Sequence, residues 1–137
     1  MELDRVVPYL GALACLTLVM VLSAPFLLIE GQGQLVSDYY ASGPLGVAGA
    51  IFLAALGIVI FLSSVRGRAD ASLVSGIMLA VGLTVFAITG LWAITIESTV
   101  LFSFPAEYSW LEYHPWGSLA VSALVAVMAA AYAVVVN

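Results

Sequence analysis

Four stretches without a single charged side chain, residues 6–29, 45–65, 71–96 and 116–136, take up most of this 137-residue chain. Each reaches the roughly 20 residues that an α-helix needs to cross about 30 Å of hydrocarbon. A backbone surrounded by lipid must satisfy its own hydrogen bonds, and these Ala-, Leu- and Val-rich runs do so as helices; membrane strands would instead alternate polarity over about 10 residues. Hydrophobic residues make up 64% of the chain and charged residues 8%, a balance no soluble domain of this size carries without aggregating. The fold class that follows is all-α: a four-helix transmembrane bundle forming one domain, with the lipid bilayer as its first partner.

The sparse charges orient that bundle. There is no lysine, and the three arginines, Arg5, Arg66 and Arg68, fall before the first span and between the second and third. Short basic connections stay in the cytoplasm, so both termini are expected there, with connections 30–44 and 97–115 outside the cell membrane. Glu2, Asp4 and Asp70 offset the arginines, which leaves the net charge of −5 to Glu30, Asp38, Glu97, Glu107 and Glu112 on the outer side. A face of that sign repels nucleic acid and anionic headgroups. The first span is read as a retained helix, because its best small-residue cleavage site, Leu22-Ser23-Ala24, is followed by Pro25.

Local chemistry marks the helix ends. Pro44 and Pro115 stand where the second and fourth spans begin, a position at which a missing N–H does no harm, and Asp70 is the N-cap of the third. Pro25 falls near the outer end of the first span, where it removes an internal hydrogen bond and kinks or ends the helix. Small residues recur every fourth position: Gly46, Ala50 and Ala54; Ser72, Gly76, Ala80 and Thr84; Ser118, Ser122, Ala126 and Ala130. Such grooves let helices approach closely where lipid gives no hydrophobic drive, and they are expected to meet inside the bundle or, alternatively, to form the seam of a homo-oligomer.

No span carries an ionisable group at mid-membrane, which argues against proton-coupled transport. The most polar set within the spans is Thr84, Thr89, Trp92 and Thr95, whose hydroxyls are expected to bond back to their own helix. The single Cys15 forms no intramolecular disulfide and is read as a packed small residue. Candidate interaction residues therefore gather in the outer connections: Asp38, Tyr39 and Tyr40 in the first, and Trp110, Glu112, Tyr113, His114 and Trp116 in and beyond the second. Aromatic rings at headgroup level form an interfacial belt, and Trp110 and Tyr113 are expected on one face of a short helix or turn. Glu112 and His114 supply a carboxylate and an imidazole, but at no recognised metal-ligand spacing, so His114 is read as a structural cap or interfacial hydrogen-bonding group. The sequence holds no catalytic, cofactor-binding or metal-binding motif.

Five short motifs keep a fixed order along the chain: Arg5-x-x-Pro8, Tyr39-Tyr40-Ala41-Ser42-Gly43, Arg66-Gly67-Arg68-Ala69-Asp70, Leu91-Trp92-Ala93-Ile94-Thr95 and Glu112-Tyr113-His114-x-Trp116. Together they resemble a small haloarchaeal four-helix integral membrane protein family of unknown function. The absence of lysine and a sequence pI near 4.3 suit a protein facing high salt. The resemblance implies location and source, and carries over no catalytic residue. The expectation is a non-enzymatic membrane protein that acts by interaction, as an accessory subunit or a homo-oligomer. Alternatives are an oligomeric passive channel or small-solute permease, and a membrane enzyme with an outward site near Glu112 and His114.

Overall fold

The computed structural model describes residues 3–29, 31, 33–42, 46–65, 67, 69–96 and 104–137. Glu30, Pro44, Arg66, Arg68 and Glu97 lie outside them, as does the side chain of Glu107. Among the described residues, five α-helices and one 3-10 helix follow in order: α1 (Leu3–Leu28), α2 (Gly33–Tyr40), α3 (Ala48–Val65), α4 (Ala71–Thr95), the 3-10 segment (Ala106–Glu112) and α5 (His114–Val136). Of these, α1, α3, α4 and α5 are long and apolar enough to cross a membrane. Burial supports that role, because at most 39% of the most apolar stretch of any of them is covered by the rest of the protein. Many large apolar side chains, among them Leu13, Met20, Phe52, Val59, Leu83 and Val127, are exposed, as lipid-facing residues are and as those of a water-soluble bundle of this size are not.

The four long helices contact one another in the cyclic order α1, α3, α4, α5, so they form a square in which chain neighbours are spatial neighbours and α5 closes back on α1. Close approach depends on glycine. A Cβ on Gly11 would stand 2.5 Å from the Phe61 ring, one on Gly57 2.9 Å from the Cys15 sulfur, and one on Gly82 3.1 Å from the Ala126 backbone. Cys15 is thus the packed small residue expected of it, wholly buried against α3.

The small-residue stripes divide between interior and surface. Gly46, Ala50 and Ala54 are buried, as are Ser118 and Ser122, whereas Ala126 is half-buried and Ala130 exposed. Ser72, Gly76, Ala80 and Thr84 all face away from the bundle, which corrects the expectation that this stripe packs inside. The buried face of α4 is instead Val74, Ser75, Met78, Gly82, Val85, Thr89, Trp92 and Ala93. That face mixes bulky Met78, Val85 and Trp92 with Ser75, Gly82 and Ala93, so residue size alone does not decide which side packs inward.

One further difference concerns a helix end. The second span starts at Ala48 rather than near residue 45, after a turn in which Gly46 adopts a φ of +67° and a Cβ would meet the Tyr40 carbonyl oxygen at 2.8 Å. Only glycine fits there comfortably, and Val47 N–H then donates to that carbonyl at 3.0 Å. Asp70 caps α4 as expected, accepting from Leu73 N–H at 3.3 Å, and Pro115 occupies the first turn of α5. At this end of the bundle Asn137 ties α5 to α4, accepting from Ser72 and donating to Ser75, while the Tyr132 hydroxyl donates to Ser64 of α3.

Candidate functional site

At the opposite end, α2 and the 3-10 segment close over the bundle. The first outer connection is therefore not a simple loop. Gly33–Tyr40 forms a two-turn helix, supported by a Gln34 to Asp38 side-chain bond of 3.1 Å, and it turns Val36 and Tyr39 inward. Those two are three positions apart and share the buried face.

The arrangement beneath this cap starts from Pro25. Its ring removes the N–H that would have bonded the carbonyl four residues earlier, that of Val21. α1 nevertheless continues through Pro25 to Leu28, so the proline lies within the helix rather than ending it. The freed Val21 carbonyl is taken by His114, whose Nε2–H donates to it at 2.6 Å. At the adjacent rung the Tyr40 hydroxyl donates to the Leu22 carbonyl and accepts from Phe26 N–H at 3.2 Å. Side chains from α5 and α2 thus complete the hydrogen bonding of the last turns of α1.

His114 is fixed from both sides. A carbonyl can only accept, so Nε2 carries the hydrogen, and Nδ1 is then free to accept from the Tyr39 hydroxyl at 2.7 Å. The Tyr39 carbonyl in turn receives Trp92 Nε1–H at 2.8 Å. Edge-on ring contacts pack the group: Tyr39 with Trp92 at 5.1 Å, and His114 with Trp92 and with Trp110 at 5.9 Å each. Tyr39 and Trp92 are almost fully buried and His114 is 8% exposed. Burial raises the Tyr39 phenol above its usual value, reinforced by the neighbouring Tyr40, whose own phenol burial also raises.

The eight candidate residues accordingly separate into two groups. Tyr39, Tyr40 and His114 form the interior network, with Trp110 half-buried against the imidazole. Asp38, Glu112, Tyr113 and Trp116 are exposed. Trp110 and Tyr113 do not share a face: the first turns onto His114, and the second is 74% exposed. Glu112 does not partner His114, whose two nitrogens are already engaged by Tyr39 and Val21. Among the described residues, no three His, Cys, Asp or Glu side chains converge to hold a metal ion.

Sequence reasoning missed three participants: Val21, Leu22 and the pairing of Trp92 with the Tyr39 backbone. The first had a signal in the chain, since Pro25 lacks an N–H and counting four residues back from it names the Val21 carbonyl. Of the polar set on α4, Thr84 and Thr95 do bond back to their own helix, at the carbonyls of Ala80 and Leu91. Beside the network an open groove of about 730 Å³ runs between Phe26 and Ile29 at the end of α1, Val36 and Tyr40 of α2, and Gly46 and Ala48 leading into α3. Its walls are mainly apolar, and Ser37 adds a hydroxyl.

No curated protein and no solved structure matches the chain. A family of unknown function (DUF7548) matches residues 1–137, and the chain belongs to that family.

Proposed function

We propose that this protein is a non-catalytic subunit of the cell membrane that works by contact with another membrane protein or with its own copies. One observation carries this reading. The groups at the capped end best able to do chemistry, His114, Tyr39 and Tyr40, are consumed in repairing α1, while Asp38, Glu112, Tyr113 and Trp116 remain on the surface. A general base needs a free nitrogen within reach of a substrate, and His114 offers none. Exposed aromatic and acidic side chains on a rigid cap suit recognition.

Arg5, Arg66 and Arg68 orient the capped end outward, with both termini in the cytoplasm. The acidic, lysine-free composition and the motif resemblance fit a haloarchaeal source. The outward stripe Ser72, Gly76, Ala80 and Thr84 favours a second mode within the same reading, close contact with a neighbouring membrane helix such as another copy. If copies assemble around a pore, proteoliposomes would pass small solutes; flux at the level of protein-free vesicles sinks that version.

Crosslinking followed by purification in mild detergent tests the main proposal. A defined partner or oligomer is expected, lost when Asp38, Glu112, Tyr113 and Trp116 are replaced together by alanine in a protein that still folds. A strictly monomeric protein that brings nothing with it overturns the proposal.

A further inference from the structure

The hydroxyls of Thr89 and Ser118 stand apart from most others in the spans. Thr17, Ser63, Ser64, Ser75, Thr84, Thr95 and Ser122 each donate to a carbonyl of their own helix. Thr89 and Ser118 do not, although both side chains are 0% exposed, and their oxygens meet no hydrogen-bond partner. Leaving a hydroxyl unpaired in an apolar interior costs as much as a lost hydrogen bond, so two such groups in one small bundle call for a partner.

The two belong to one layer. Trp92 and His114 pack ring against ring at 5.9 Å across α4 and α5. These helices run antiparallel, with Gly82 against Ala126 and Gly90 against Leu119. One turn inward from the ring contact is position 89 on α4 and position 118 on α5. Both side chains lie on the buried faces of their helices, one helical turn from Trp92 and His114.

We propose that Thr89 and Ser118 form an internal hydration site, holding one water molecule between α4 and α5. The water accepts from both hydroxyls and donates to the second lone pairs of nearby helix carbonyls, those of Val85 and His114 being one turn back from the two side chains. A ligand larger than water does not suit a layer bounded by so close a helix pair, and an ion does not suit two neutral hydroxyls.

The test combines a double-mutant cycle with detection of the water in the full-length protein. Thr89→Val and Ser118→Ala are made singly and together, and reversible unfolding is followed in mixed micelles. A shared water predicts that each single change lowers the folded-to-unfolded ratio roughly fivefold, and that the pair lowers it by clearly less than the product of the two. In the unmodified protein, magnetisation transfer from water to the Thr89 and Ser118 side chains is expected in deuterated lipid. Strictly multiplicative effects, or a ratio that rises on removing either hydroxyl, overturn the proposal by showing a dry, uncoupled pair. Coupling without water transfer also overturns it, since the hydroxyls then bond one another directly.

Discussion

Replacing His114 by phenylalanine keeps a buried ring of similar size but deletes both of its hydrogen bonds. The Val21 carbonyl and the Tyr39 hydroxyl would then be left unpaired in an apolar interior. At roughly 1–3 kcal/mol for each stranded group, the substitution should cost about 2–6 kcal/mol. The Val21 share of that cost exists only because Pro25 supplies no N–H. Pro25→Ala restores the donor at the correct position, so in that background His114→Phe should strand Tyr39 alone and cost roughly 1–3 kcal/mol less. Losses in packing around residue 25 cancel in the cycle.

Equilibrium unfolding of the four proteins in mixed micelles, followed by far-ultraviolet circular dichroism, measures this coupling. Equal costs of His114→Phe in the two backgrounds, within about 0.5 kcal/mol, would refute the reasoning. They would mean that the proline and the histidine are neighbours without being partners.

Further outcomes follow from the same structure. Gly82→Ala should push α4 from α5, since its Cβ would meet the Ala126 backbone at 3.1 Å, and lower stability by about 1–3 kcal/mol. Gly76→Ala, on the open face of the same helix with nothing within 4 Å, should instead be neutral or stabilising by up to about 1 kcal/mol in the same unfolding assay. Burial raises the Tyr39 phenol, so the folded state holds a proton that the unfolded state loses near pH 10. Stability is then full below about pH 10 and falls by up to about 1.4 kcal/mol per pH unit above it, and Tyr39→Phe should flatten that slope. Cys15, wholly enclosed between α1 and α3, should resist a membrane-permeant maleimide in the folded protein and react once unfolded, as mass spectrometry would report.

Span number, helix type and most end signals were legible because a bilayer imposes length and charge rules that a single sequence displays directly. Asp70, Pro115 and Cys15 met their expectations through chemistry local to each residue. The outward turn of Ser72, Gly76, Ala80 and Thr84 was not legible, because periodicity names a helical face without saying whether protein or lipid covers it. α2 was hidden for a different reason. Its eight residues fully bury only Val36 and Tyr39, and the glycines, Gln34, Ser37 and Asp38 around them read as loop.

The network itself was half legible. Pro25 announced a broken ladder, and His114 announced a polar group near a helix start, yet they lie 89 positions apart and nothing in either local sequence links them. Only the square packing of the helices brings α5 beside α1 and makes the imidazole the missing donor.

Because His114 is the single histidine of the chain, its ring can be observed without ambiguity. Solid-state NMR of protein carrying labelled histidine in lipid bilayers tests the central claim that this residue is a fixed structural bridge. One ring species is predicted, with hydrogen on Nε2, a hydrogen bond accepted at Nδ1, and through-space correlations to the Tyr39 ring and the Val21 carbonyl. Hydrogen on Nδ1, an exchanging mixture of tautomers, or a ring in contact with bulk water would contradict it.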